Sequence, residues 1–316
     1  MRTKLMIARL CACFLVLPVS GLGDDSAARE GPGAGEKTAR RSDAASDPEG
    51  QLLVRRARAI LQRYFAVSAH VTQSVRLFGQ EVIGSGSYFE QRSNQGLQYR
   101  LELNVQTKVD EQPSSLLEVC DGRFLWNYRK LQGAETLSRL DLARLQQKIE
   151  EAGTSARLRA IDQWPGLGGL AGLLHSFDRA FVFETPESVL LQPQFPAWKL
   201  EGRWRPSVLA TALPGDQTKA GERKGVEFEQ LPPHLPNCVI LFLGKDDLFP
   251  YSIVFYRLPG STTTVKAKPN DRPAIRINLS KVRFNEPIHA GQFAYKPGDL
   301  DFSDRTEQFL KKLDLP

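Results

Sequence analysis

Apolar positions after residue 50 first repeat with helical spacing and then switch to alternation. Leu53, Ala57, Ile60, Leu61, Tyr64 and Phe65 fall on one side of a helix, with Arg55, Arg56 and Arg63 outward. Beyond it Leu101, Leu103 and Val105 alternate with Glu102, Asn104 and Gln106. Ile275, Ile277 and Leu279 alternate in the same way with Arg276, Asn278 and Ser280, the mark of half-buried strands. Further strands are expected at 71–78, 84–91, 115–120, 124–129, 180–185, 198–204, 239–243 and 251–258. Asp121-Gly122 marks a turn between two of them. So many short strands without intervening helices predict an α+β chain of mainly antiparallel sheet, curved or barrel-like, rather than a βαβ fold.

Two helices interrupt the strands. Ser138-Arg139-Leu140-Asp141 has the form of a capping box opening a helix that runs to Ala152 and stops at Gly153. The second, 167–177, carries Leu167, Leu170, Leu173, Leu174 and Phe177 on one stripe, while its glycines weaken it. Such a helix is either part of the core or a marginally stable lid over a pocket.

The first 50 residues read differently. Arg2, Lys4 and Arg9 precede a short apolar run, 10–19, and Gly21-Leu22-Gly23 supplies small residues before Asp24, so 1–23 is expected to be a cleaved signal peptide. Those three cations are half of the formal charge of +6, and the rest of the chain lacks the density of Lys and Arg that nucleic acid requires. Residues 24–50 contain no large apolar side chain and are expected to form a polar linker ahead of a single folded domain, 51–316. Export implies a periplasmic location and an oxidising compartment. Cys120 and Cys238 are then either a disulfide or two buried thiols.

Catalytic patterns are missing from the sequence. His70, His175, His234 and His289 have no metal-ligand spacing, and no G-x-S-x-G elbow or phosphate-binding lysine loop occurs. The reading is a protein without enzymatic activity, metal or cofactor.

Tyr88-Phe89-Glu90-Gln91-Arg92-Ser93-Asn94, then Ser115 to Cys120, Asp121-Gly122-Arg123-Phe124 and Leu125-Trp126-Asn127-Tyr128, resemble the periplasmic lipoprotein carrier family (LolA-like, with the related LolB-like receptors). Gly244-Lys245-Asp246-Asp247 with Ile253-Val254-Phe255, and Phe284-Asn285-Glu286-Pro287 with Tyr295-Lys296-Pro297-Gly298-Asp299, continue the resemblance in order. It implies about eleven strands in an incomplete barrel, lined with apolar residues and lidded by helices. Arg92 stands where such carriers latch the lid, here against the segment bearing Leu170 and Leu174. Ser93 departs from the proline usual in the family, and 206–236 fits no part of the pattern.

Acyl chains cannot cross an aqueous compartment unshielded, at about 0.8 kcal/mol per exposed CH₂. The inward face of a curved sheet can shield them. Residues expected to line it are Tyr88, Leu101, Leu103, Leu117, Val119, Trp126, Phe181, Phe183, Phe242, Phe255 and Ile277. Which alternate set points inward is not legible in the sequence. The function expected is a monomeric carrier that binds a lipid or acylated lipoprotein and exchanges it with membrane-bound donor and acceptor proteins on the way to the outer membrane. The alternative is a non-transport sensor or regulatory module on the same fold.

Overall fold

The structure is a computed structural model that describes residues 48–77, 80–94, 96–106, 114–131, 133–153, 168–191, 194–206, 208, 236–258, 267 and 271–313. The expected signal peptide, the linker up to residue 47 and most of 206–236 lie outside the described residues.

Helix α1 (Glu49–Leu61) leads into six strands in meander order: β1 (Ala66–Leu77), β2 (Gln80–Ser93), β3 (Gly96–Gln106), β4 (Ser114–Cys120), β5 (Phe124–Leu131) and β6 (Ala134–Asp141). Helices α2 (Leu142–Ala152) and α3 (Gly169–Ala180) follow. The remaining strands are β7 (Phe181–Phe183), β8 (Glu187–Leu190), β9 (Pro196–Trp204), β10 (Cys238–Gly244), β11 (Pro250–Tyr256) and β12 (Ile275–Phe284). A 3₁₀ turn (Ala290–Phe293), the short β13 (Ser303–Asp304) and α4 (Thr306–Lys312) complete the described chain.

All thirteen strands belong to one sheet, ordered β13-β6-β5-β4-β3-β2-β1-β12-β11-β10-β9-β7, with β8 also on β9. Every pairing is antiparallel except β13 with β6. The sheet curves but does not close, as the alternation and short spacing predict. Three of the strands, β6, β8 and β13, match no expected segment, because they are too short or too polar to show a pattern.

One expected helix start is corrected. Residues 138–141 are strand, and the N-cap of α2 is Asp141, whose carboxylate accepts from Arg144 N at 3.1 Å. Ser138 pairs with Asn127 instead, because β5 needs a partner along its free edge. At the β4–β5 turn the expected Asp-Gly pair does its work: Asp121 Oδ1 accepts from Arg123 N at 2.8 Å and Phe124 N at 2.6 Å.

Cross-strand register separates the two faces. Ala69, Tyr88, Leu101, Glu118 and Asn127 form one row, and Val71, Gly86, Leu103 and Leu116 form the next. The same face continues through Ile277, Ile253, Leu241 and Leu200 to Gly202 and Phe183. This inner face carries α1 and α3 and, with them, one apolar core. Inside it Phe181 meets Trp204 at 4.4 Å between ring centres with the rings tilted by 36°, and Phe177 of α3 meets Phe255 at 6.0 Å.

The outer face has its own covering. Residues 290–302 lie on β3–β5, where Trp126 packs against Tyr295 at 5.4 Å and Phe302 at 5.2 Å. Arg139 sits among Phe124, Trp126 and Phe302 and pairs with Asp304 at 2.7 Å. The C-terminal segment then crosses the β6 edge as β13, and α4 returns to the main core through Phe309, Leu310 and Leu313.

Candidate functional site: the inner face and its helix

Seven of the expected lining residues share the inner face: Tyr88, Leu101, Leu103, Phe181, Phe183, Phe255 and Ile277. Four do not. Leu117, Val119 and Trp126 occupy the opposite register on β4 and β5, and Phe242 does so on β10. Trp126 is covered by the C-terminal segment, and Phe242 packs on a separate outer cluster of Cys238, Ile240, Val254, Tyr256 and Leu258. The reason is that β4, β5 and β10 carry apolar residues on both faces, with Leu117 and Phe242 half-buried on the outer one, so hydrophobicity along Ser-Leu-Leu-Glu-Val-Cys carries no alternation to read.

The fold keeps the two cysteines apart. Cys120 and Cys238 are free thiols on β4 and β10, with five strands between them in the sheet. Cys120 lies on the inner face and donates to Leu97 O, while Cys238 lies on the outer face beside Glu201. Burial pushes each thiol up to about 12, so neither is reactive near neutral pH.

Helix α3 turns Leu170, Leu173, Leu174 and Phe177 onto the inner face. Its amino end is fastened by a residue the sequence reading passed over. Glu90, 4% exposed, accepts from Leu170 N at 2.9 Å and from the Tyr88 hydroxyl at 2.5 Å through Oε2. Arg92, the expected latch, reaches the other oxygen of Glu90 at 3.5 Å. Arg92 stands two residues beyond Glu90, hence on the same face of β2 at its exposed end, where it meets the carboxylate. Gly169 is required beside it. Its φ is +60°, and a Cβ there would stand 2.3 Å from Glu90 Oε2. Burial raises the Glu90 pKa, against the pull of Tyr88, Leu170 N and Arg92, and the same burial holds the Tyr88 phenol well up. The signal available in the sequence was a carboxylate at the same parity as Tyr88 on an otherwise apolar strand face.

A second buried carboxylate lies in the neighbouring row. Glu118 accepts from Tyr99 Oη at 2.6 Å and from Asn127 Nδ2 at 2.9 Å. Its environment is satisfied and structural in form. No group of three or more His, Cys, Asp or Glu able to hold a metal occurs among the described residues.

The carboxyl end of α3 is tied to α1. Asp178 receives Arg55 Nε at 3.1 Å and Gln51, whose Oε1 in turn accepts from Phe183 N at 3.2 Å. Arg58 Nη1 lies 2.5 Å from His175 Nδ1, a contact that requires neutral imidazole accepting from the guanidinium. Burial, then Arg58 and Arg179, lower the His175 pKa, and Asp178 opposes them. The unfolded chain thus binds this proton more readily than the folded one. Stability from this group is complete above the ordinary imidazole pKa and is lost as pH falls through it. The melting temperature should drop between pH 7.5 and pH 5.5, and His175→Gln should flatten that slope. Glu90 titrates in both proteins and cancels in the comparison. An unchanged slope in the variant would remove His175 from the account.

No helix of the described residues is long and apolar enough to cross a membrane. No protein-family model matches the sequence, and no curated protein matches it. Among solved structures the chain is similar to the lipoprotein LppX of Mycobacterium tuberculosis, with a TM-score of 0.37 and 13% identity over 78% of this chain and 100% of that one. LprF of Mycobacterium bovis gives 0.36 and 14% over 79% and 100%. A putative outer membrane lipoprotein-sorting protein domain of Vibrio parahaemolyticus gives 0.31 and 10% over 78% and 96%. A likeness of this size leaves ligand and role to the residues themselves.

Proposed function

We propose that this protein is an exported, non-enzymatic carrier that shields acyl chains between the inner face of its sheet and α3, during transfer toward an outer membrane. The observation that carries the reading is how α3 is held. Its apolar stripe lies on an apolar sheet, but its two ends are fastened by polar contacts, Glu90 to Leu170 N and Gln51 and Arg55 to Asp178. Water can replace those bonds to charged groups at a net cost of about 2 kcal/mol each. An acyl chain can take the place of the apolar contacts, since methylenes are equivalent to leucine side chains in this respect. A helix with that balance is suited to leave the sheet when a lipid arrives and to return when it departs. Export rests on the pattern of residues 1–23.

The test is exchange. Donor vesicles carrying a self-quenched, triacylated lipopeptide are mixed with the purified protein and with acceptor vesicles. A soluble one-to-one complex and a transfer rate proportional to protein concentration are expected. A protein that forms no lipid complex but binds a protein partner stably would replace the carrier with a sensor or regulatory module.

A further inference from the structure

Gln73 stands on β1 at an inner-face position, directly across from Gly84 of β2 and Ile277 of β12. It is 3% exposed, and its Nε2 has no hydrogen-bond partner among the described residues. A buried amide donor without a partner is unfavourable, and an aliphatic side chain of the same length would fill the position without that penalty. Its surroundings are aliphatic: Val71 and Val75 on its own strand, Val82 and Val105 beyond Gly84, Ile277 and Ile253 on the other side. Among these side chains Gly84 leaves room. A Cβ built there would meet Val105 Cγ2 at 3.5 Å, an ordinary contact, so the place opposite Gln73 takes one more carbon without a clash. At Gly86, one row on, the carbonyl of Glu102 already fills the equivalent place.

We infer that Gln73 is the polar contact of the inner face, donating through Nε2 to a carbonyl oxygen at the head of an acyl chain that lies over Gly84. The inference rests on the acyl-binding reading above and narrows its ligand. The group required is a hydrogen-bond acceptor attached to hydrocarbon. An ester carbonyl suits it better than a carboxylate, because the aliphatic neighbours named supply no countercharge. The amide then selects esters over plain hydrocarbon, at the expense of the ligand-free fold.

The experiment is displacement of a fluorescent naphthylamine probe from the purified protein by methyl palmitate, palmitate and hexadecane. The wild type should bind methyl palmitate about tenfold more tightly than hexadecane. Gln73→Leu should abolish that difference, leave hexadecane unchanged and raise the melting temperature of the ligand-free protein. Gln73→Met, equal in length, should do the same and guards against a packing effect peculiar to leucine. A variant that still discriminates, or both variants melting below wild type, overturns the inference. Palmitate binding more tightly than methyl palmitate overturns the ester choice in favour of the free acid. Failure of all three compounds to displace the probe from wild type brings down the acyl-binding reading and this inference together, whereas the variant results leave that reading standing.

Discussion

Glu90→Leu is expected to release α3 from the sheet while the sheet stays folded. The substitution leaves Leu170 N and the Tyr88 hydroxyl without their shared acceptor, in a place that water does not reach while the helix is docked. Losing a bond to a charged acceptor costs about 2 kcal/mol, or roughly a 30-fold rise in the undocked population. The strands should be nearly indifferent, because leucine replaces a carboxylate on an apolar face and removes its desolvation penalty. Hydrogen exchange resolves the two effects. Amides of Leu170 to Phe177 should exchange roughly 30-fold faster, while β1–β5 keep their protection. Glu90→Gln retains an acceptor oxygen and should fall well short of that increase. Gly169→Ala attacks the same contact from the other side, through its positive φ and the clash with Glu90. If exchange rises evenly over helix and sheet, Glu90 is a general core residue and the fastening role is wrong.

Trp126→Ala should produce a large loss of stability with no direct effect on the inner face. The ring is 6% exposed and lies among Phe124, Tyr295, Phe302 and the Arg139 guanidinium. Truncating a packed tryptophan costs about 3–5 kcal/mol, and here the loss falls on the strap formed by 290–304. Urea denaturation should show the shift, and limited proteolysis should cut between Gly291 and Ser303 in the variant before it cuts the sheet. The milder Trp126→Phe keeps most of the packing and should bind acyl ligands as the wild type does. Trp204, packed against Phe181 with Nε1 donating to Pro236 O at 2.6 Å, is the indole placed to sense the inner face. Acyl binding abolished in Trp126→Phe with the fold intact would return this residue to the ligand site.

The clearest sequence signals were those with a local cause. Alternation over 101–106 and 275–280 marked β3 and β12, since one face of each is buried and the other meets water or charge. Helical spacing from Leu53 marked α1, although the helix begins at Glu49, because Gly50 and Gln51 are buried against β7 for tertiary reasons that their chemistry does not advertise. Asp141 illustrates the limit of a cap motif. The carboxylate does cap α2, but the three residues before it are drawn into the sheet by β5, which no local pattern reveals.

Lining residues were legible only as far as parity allowed. Tyr88, Leu101 and Leu103 lie on strands whose alternate positions are polar, and these fell on the inner face. Leu117, Val119, Trp126 and Phe242 lie on strands with apolar residues on both faces, where being apolar says nothing about direction. Glu90 and Gln73 were passed over for the converse reason. A polar residue in a strand ordinarily faces water, and only the register of β1 and β2 shows these two turned inward.

The sequence alone thus determined the mainly antiparallel sheet, its leading helix and the apolar stripe of α3, because each follows from spacing within a few residues. Its first 50 residues also carry the pattern on which the proposal of export rests. Tertiary structure alone decided which face of each strand is inner, that the two cysteines stay apart, that residues 290–313 wrap from the outer face to the inner side, and that a carboxylate on β2 holds a helix eighty residues further along. Those outcomes depend on pairings between distant segments. A one-residue slip in register would reverse every one of the facing side chains without changing a single local preference.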